Sequence, residues 1–458
     1  MAEPRVVVVG AGPAGVRCAE ALVAAGIRPT LIDENQRDGG QIYRRQPENF
    51  TRSYATLYGT EAGRAAALHR SFDSLREQID YLPQTLVWNI ADRHLYVIRG
   101  SKHLTLAFDA LVLCTGATDR LMPVKGWNLA GTYSLGGAQV ALKSQACAIG
   151  SKVVFAGTGA LLYLVAAQYR KAGARVAAVL DTSPWSARVA ALPELLAAPT
   201  ALWKGVALTL SLSGAGVPVH TGIELLEIAG TAEGGVSGIS FKDSSGRVRK
   251  LQCDAVALGY HLRPETQLAD LARCEFGFDP LTRQWLPQAD ADGRSSVPGV
   301  YLAGDGARVL GANAAEKRGR LAALAVLQDL GRSQAIETIA ELRRSLAALE
   351  RFAQGLSQAF PWPAQQAARL SDDTIVCRCE CVSAGELRQV VQQTGASESN
   401  RAKAFSRVGM GRCQGRYCGH AAAEIIAHAA NVPLEQVGRL RGQAPVKPLL
   451  IGSAEDVA

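Results

Sequence analysis

The chain has 458 residues, of which 48% are apolar and 6% aromatic, with 46 glycines and a formal charge of +8. That length allows about two to four domains, each able to bury a core, and the glycine-rich, aromatic-poor balance suits α/β sheets joined by tight loops. The positive charge is spread along the chain, with no basic block and no stripe of stacking aromatics. This speaks against nucleic acid and leaves anionic cofactors and an acidic partner surface as its expected counterparts.

A buried strand begins at Val6, which leaves no room for a signal peptide. The uncharged stretch Val153 to Tyr169 is too short and too glycine-interrupted for a membrane helix. Cys18, Cys114, Cys147, Cys253 and Cys274 stand singly, several in apolar runs, as reduced core thiols do. A cytoplasmic chain that is not integral to a membrane is expected, with a peripheral place at the inner membrane left open.

The strand runs into Gly10, Gly12 and Gly15 and then an apolar helix ending near Gly26. Gly10 permits the sharp turn, Gly12 lets the backbone approach a pyrophosphate, and Gly15 lets the helix pack on the strand with its N-terminus facing the phosphates. A second strand, 29–32, ends at Asp33 and Glu34; Asp33 lies 18 residues beyond Gly15, where a carboxylate accepts from an adenosine ribose. Strand, loop, helix, strand and acid in this order predict a nucleotide.

The same plan recurs from Lys152, with Gly157 and Gly159 in place but Leu162 at the third glycine position. A leucine there should push the helix from the strand or reshape the loop, so a second dinucleotide fold is expected without NAD(P)H. Asp181 ends the following strand and leaves a carboxylate available. Another nucleotide, or a scaffolding role, stays open. No cysteine lies between Cys18 and Cys114, and Cys147 has no neighbour at redox spacing, so disulfide reduction is excluded.

From Arg332 to Leu356 the chain reads as a charged helix, broken by F-P-W-P at Phe360. Beyond it come Cys377 and Cys379 in C-R-C, a helix capped by Ser383 with Glu386 three residues on, Cys413 and Cys418 in C-x4-C, and an Ala-rich helix from His420. Two tight thiol pairs among glycines are what a four-thiolate centre needs. Structural zinc satisfies the same spacing. Cys381 adds a third candidate to the first pair, because alternate residues of a strand share a face. Arg378, Arg412 and Arg416 would stabilise the charge of an anionic centre.

The strand D-A-L-V-L-C-T-G-A from Asp109, with its turn at Gly116, and P-G-V-Y-L-A-G-D-G from Pro298, ending at Gly304-Asp305, resemble the paired signatures of two-dinucleotide-domain flavoproteins. The resemblance implies FAD, with Asp305 on its ribityl chain and Gly116 passing close to it. Gly39, Gly40, Gln41 and Ile42 resemble the segment over the flavin. Leu86-Val87 would contact adenine, and the helix from Ala314 would point at the isoalloxazine. The cysteine unit resembles the [2Fe-2S] domain of bacterioferritin-associated ferredoxin, which implies Cys377, Cys379, Cys413 and Cys418 as ligands.

The whole chain is similar to the FAD/NAD(P)-binding A subunits of bacterial opine oxidases, hydroxyproline and proline dehydrogenases and hydrogen cyanide synthase, on I-D-E-N with G-G-Q-I-Y-R, the degenerate second loop and the fused cluster domain. The implied fold is α/β, a glutathione-reductase-like Rossmann pair with a small C-terminal helical [2Fe-2S] domain. The expected segments are 1–125 with 285–330 (FAD), 126–284 (second nucleotide fold), 331–370 (helical linker), 371–432 (cluster) and 433–458 (tail). The resemblance implies two partners, a small ferredoxin-like subunit plus a D-amino-acid-oxidase-like FAD subunit. It also implies FMN between subunits in some members and ATP in a nucleotide site in others. No catalytic residue is assigned to this chain, whose final electron acceptor stays unidentified. The competing readings are a self-contained NAD(P)H-dependent flavin reductase feeding an external acceptor, and a redox-silent scaffold with zinc in its tail.

Overall fold

A computed structural model describes residues 3–48, 51–332 and 336–449. Residues 333–335 of the expected linker and 450–458 of the expected tail lie outside the described residues. The first sheet is parallel, its strands in the order Val300–Leu302, Ala110–Leu113, Val6–Val9, Thr30–Ile32, Asp80–Leu82. Val6–Val9 lies at its centre, buried on both faces, which is why its residues form one apolar run without alternation. The helices Pro13–Ala24 and Ala312–Asp329 cover one face together. They approach so closely that a Cβ on Gly319 would stand 2.0 Å from the Ala14 carbonyl oxygen.

A second parallel sheet repeats the plan, in the order Val219–Thr221, Arg175–Asp181, Lys152–Thr158, Ala255–Tyr260, Thr132–Ser134. Leu162 is fully buried in its core beside Phe155 and Tyr169. Each sheet carries a three-stranded antiparallel unit nearby, Thr85–Ala91 with His94–Arg99 and Lys102–Ala107, and Glu224–Thr231 with Gly235–Lys242 and Val248–Gln252.

The helix Ile336–Ala359 leads to Phe360 and Trp362, and the remaining elements form a small unit with its own core of Val376, Leu387, Val391, Ile425 and Ile426. The helix Ala384–Thr394 starts at a complete capping box. Ser383 Oγ accepts from Glu386 N at 3.2 Å, and Glu386 Oε2 accepts from Ser383 N at 2.7 Å. Glu424, on the helix Gly419–Ala430, is 4% exposed and takes both arms of the Arg283 guanidinium at 2.7 Å and the Trp362 indole N–H at 3.1 Å. Arg439 grips Asp270 with two N–H groups at 2.6 and 2.7 Å. The small unit is thus bolted to the two-sheet body by charge-assisted hydrogen bonds at buried or half-buried positions.

Arg283→Ala leaves the buried Glu424 carboxylate short of its cation and should cost about 2–4 kcal/mol, discounted from the roughly 3–5 kcal/mol of a fully buried pair because Arg283 is partly solvated. Urea unfolding at neutral pH reads this as a fall in midpoint.

Candidate cofactor sites

The first glycine loop is a cradle without side chains. Gly10 has φ +107°, and a Cβ there would meet the Cys114 carbonyl oxygen at 2.3 Å. A Cβ on Gly15 would meet the Gly10 carbonyl oxygen at 1.7 Å, so the helix packs directly on the turn. Gly39 N–H donates to the Ala11 carbonyl at 2.9 Å, and a Cβ on Gly40 would lie 3.0 Å from Gly12 Cα. The two glycine segments, distant in sequence, therefore form one floor beneath the open N-terminus of the helix Pro13–Ala24.

The two candidate ribose carboxylates part company. Asp33 is buried and triply hydrogen-bonded, accepting from Ala11 N at 2.6 Å, Asn35 N at 2.7 Å and Asn35 Nδ2 at 2.8 Å. Burial pushes its carboxyl above the ordinary range despite those donors. Asp33 holds the loop in shape, and Glu34, one residue on and exposed, is the carboxylate open to a ligand. Its Oε2 is in contact with Lys447 Nζ. Val87 is buried in the strand Thr85–Ala91. Gln41 is exposed, its Oε1 accepting from Arg44 at 2.8 Å.

Gly304 has φ +69° and lies against Ala14, which places Asp305 beside the same loop. Asp305 Oδ1 accepts from Leu310 N at 2.9 Å and Gly311 N at 3.0 Å, while burial raises its carboxyl. Its other oxygen stays available to a hydroxyl. Gly116, φ +70°, has open space around its Cα. A cavity of about 870 Å³ opens between the loop 307–311, the hairpin 277–288, the end of the helix Ile336–Ala359 and the start of the helix Ala160–Lys171. Its volume is that of a cofactor pocket.

The second nucleotide fold departs from expectation at its acid. Asp181 is completely buried, bonded by Tyr163 Oη at 2.7 Å, Arg188 Nη2 at 2.6 Å and Ser183 N at 2.8 Å. At 0% exposure neither oxygen is open to a ribose hydroxyl. A carboxylate with 0% exposure must be paired where it sits, and Arg188 does this. Over Gly159, whose φ is +112°, lies His261, with its Nδ1 3.2 Å from where a Cβ would be; His261 Nε2 meets the Phe360 carbonyl at 2.5 Å. The F-P-W-P segment, legible in the sequence only as a helix breaker, is thus a cover on the second loop.

The four cysteines converge in a chain of contacts, with the Cys418 thiol hydrogen-bonded to Cys377 and Cys413, and Cys413 to Cys379. Contact with the Cys418 thiol pushes Cys377 down to about 6 and Cys413 down to about 5 against the opposing effect of burial. Backbone N–H groups of Gly409, Glu380 and Cys379 aim at the first sulfur, and those of Tyr417 and Gly415 at the second. Gly411 is obligatory, since a Cβ there would stand 2.1 Å from Cys379 Cβ. Among the described residues no three His, Cys, Asp or Glu side chains are grouped to hold a single metal ion. The four converging thiols, with backbone donors to sulfur, fit a [2Fe-2S] centre.

Cys381 does not share the face of its neighbours. The strand Ile375–Cys377 ends before it, Cys381 has φ +55°, and its exposed sulfur lies 4.0 Å from the Arg378 carbonyl oxygen. The arginines also differ from expectation. Arg378 stacks 5.2 Å over the Trp127 ring, and Arg416 is buried against Glu265 at 2.8 Å. Arg416 therefore brings its own counter-charge. This pair, which no sequence motif announces, ties the cysteine loop to the flavoprotein body, because Glu265 N–H donates to the Gly116 carbonyl at 2.9 Å.

Residues 4–328 match the family model described as pyridine nucleotide-disulphide oxidoreductase, and residues 375–428 match the BFD-like [2Fe-2S] binding domain. The chain belongs to the pyridine nucleotide-disulphide oxidoreductase family and carries that iron–sulfur domain at its C-terminal end. Within the family it is 36% identical to an opine oxidase A subunit from Rhizobium meliloti, over 97% of this chain and 86% of that one. It is 31% identical to the hydrogen cyanide synthase subunit HcnB of Pseudomonas aeruginosa, over 97% of both. The fold matches that of L-proline dehydrogenase from P. horikoshii at TM-score 0.69 and 18% identity, covering 98% of this chain and 79% of that one.

Cys381→Ser should leave the iron and sulfide content of the purified protein unchanged, whereas Cys379→Ser and Gly411→Ala should each abolish the EPR signal of the reduced centre. The Glu265 carboxyl supplies a pH test. Burial pushes it up, but Arg263 and Arg416 outweigh that and hold it below the ordinary value. The stability it contributes is complete above the unfolded glutamate pKa of about 4.3 and is lost as pH falls through the lower folded value. The melting-temperature difference between wild type and Glu265→Gln should therefore be constant from pH 7 to 5 and shrink below about pH 4.

Proposed function

We propose that this chain is the electron-accepting flavin and iron–sulfur subunit of a hetero-oligomeric amine or amino-acid dehydrogenase of the opine or D-hydroxyproline type. The observation that carries the reading is the pairing of an open first cradle and a four-thiol site with a second fold whose ribose carboxylate is consumed internally. The alternative, a nicotinamide-fed reductase, needs that carboxylate free for NADH or a free arginine beside it for NADPH, and Asp181 and Arg188 are engaged with each other. In the proposed complex a D-amino-acid-oxidase-like FAD subunit oxidises the C–N bond of a CH–NH or CH–NH2 donor, and a small ferredoxin-like subunit completes the assembly.

Flavin chemistry supplies the step from an electron pair to single electrons, which a [2Fe-2S] centre requires. This chain's residues hold the participants. Gly10, Gly12, Gly15 and Gly40 admit the pyrophosphate, and Glu34 takes the ribose. Asp305 orients the ribityl hydroxyls, and Cys377, Cys379, Cys413 and Cys418 ligate the cluster. The cavity of about 870 Å³ has room for the FMN that the family likeness implies.

An unusual surface supports a partner. Trp185, Leu196, Trp203 and Leu210 are 63%, 59%, 67% and 60% exposed on the helices 185–214. That stretch carries three charged residues, and two of them are already engaged, Arg188 with Asp181 and Lys204 with Glu61. A membrane-seeking face carries a basic rim, so an apolar protein surface is the better occupant. Among the described residues no helix is long and apolar enough to cross a membrane. All ten cysteines are free, which supports the cytoplasm as the compartment.

Anaerobic titration of the purified yellow-brown protein tests the reading. NADH and NADPH should leave the flavin absorbance unbleached, while the co-expressed amine-oxidising subunit with an opine or D-hydroxyproline should bleach it. Rapid bleaching by either nicotinamide alone would establish the reductase reading instead. Trp203→Glu with Leu210→Glu should abolish co-purification with that subunit while leaving flavin absorbance and helical circular dichroism unchanged.

A further inference from the structure

We propose that residues 445–447 are a strap that closes the adenosine end of the first nucleotide site, with Lys447 as a positioning residue for Glu34. The proposal rests on the reading of the first glycine loop as a nucleotide site. Nothing in the tail's sequence marks it, and the placement is wholly tertiary.

The strap is built in, not merely laid over the surface. Val446 is 2% exposed and packs in the core beneath the first sheet with Val7, Val9, Ile32 and Val87. Its N–H donates to the Trp88 carbonyl at 3.2 Å, next to Val87, and its carbonyl accepts from Arg416 Nη1 at 2.8 Å. The Pro445 carbonyl accepts from the Gln414 side chain. One side of the strap is thus fixed to the strand expected at the adenine, and the other to the cysteine loop. From this anchored backbone Lys447 reaches Glu34, 413 residues away in sequence.

The chemistry of that contact favours a nucleotide. With Asp33 buried and holding three donors, Glu34 is the exposed carboxylate left to accept ribose hydroxyls, and a carboxylate has about four acceptor positions on its two oxygens. An ammonium on one oxygen fixes the rotamer and leaves the other oxygen for the ribose. It also offsets a negative charge that would otherwise stand close to a diphosphate. Lys447 is itself only partly exposed, so the pair is ordered by the buried Val446 beside it.

The strap also makes two sites share one element. Arg416 holds Val446 and lies 3.4 Å from the Cys413 carbonyl, so seating a nucleotide against Glu34–Lys447 braces the loop that carries two of the thiols. By linkage the effect is reciprocal, and a bound nucleotide should slow loss of iron.

The experiment uses the holoprotein with FAD and ADP as probes. Dissociation of FAD on dilution, read by recovery of flavin fluorescence, should be about two- to fivefold faster in Lys447→Ala, the upper part of the range for a partly exposed ion pair. Lys447→Arg should restore it. In protein stripped of FAD but retaining its iron, ADP should slow iron transfer to a ferrous chelator in wild type and have no such effect in Lys447→Ala. Unchanged FAD release in Lys447→Ala, or the same ADP protection in both proteins, overturns the strap while leaving the nucleotide site standing. A wild-type protein that takes up neither FAD nor ADP overturns the site reading and the strap with it.

Discussion

Arg416 and Glu265 meet at 2.8 Å where both are nearly excluded from water, and three parts of the molecule depend on that meeting. Glu265 is held by the turn that ends the strand Ala110–Leu113, accepting from Thr115 Oγ1 through its carbonyl at 2.6 Å and donating to the Gly116 carbonyl. Arg416 belongs to the loop between Cys413 and Cys418, and its remaining N–H groups go to Cys413 and Val446. Arg263, also buried, donates to the Arg416 carbonyl at 3.3 Å. A buried ion pair gains little over apolar packing, yet its geometry is demanding, and losing one partner strands a charge. Its value here is register: it sets the cysteine loop against the hinge of the flavoprotein body at one distance and angle.

A small iron–sulfur unit fused to a large fold could otherwise sit anywhere its linker allowed. The Arg283–Glu424–Trp362 contact and the Arg439–Asp270 fork add two further points of attachment, and three non-collinear points define a rigid placement. Electron transfer between fixed centres needs such placement more than it needs motion. The helix Ile336–Ala359 and the F-P-W-P segment take part as well, since Arg120 stacks 3.9 Å from the Trp362 ring centroid while Phe360 covers the second loop.

The second dinucleotide fold keeps its shape while its terminal acid is spent on internal pairing. Its sheet, glycine turn and terminal acid are all retained, because the turn and the strand order are required for packing: a Cβ on Gly157 would lie 1.8 Å from the Gly259 carbonyl. The acid is turned inward and used to anchor Arg188 and Tyr163. Packing alone accounts for the glycine turn, whatever its polar groups are used for.

Much of this is legible one residue at a time. The first glycine loop follows from local backbone demands at Gly10 and Gly15, and the capping box at Ser383 from orphan N–H groups at a helix start, so both can be read without a fold. The cysteine pairs are legible by spacing. Which of Asp33 and Glu34 stays open, which way Cys381 turns, and whether Asp181 is free depend on partners that arrive from elsewhere in the chain. Leu162 is visible in the sequence at the third glycine position, but the contacts around the second loop come from Arg188, Tyr163 and Phe360, which no motif connects. Local pattern is enough for the two dinucleotide folds and the four-thiol unit, because those rest on periodicity, glycine geometry and short spacings. How they are joined, through Arg416–Glu265 and Lys447–Glu34, is settled in three dimensions, because pairing between charges 151 and 413 residues apart is set by burial and approach and leaves no local trace.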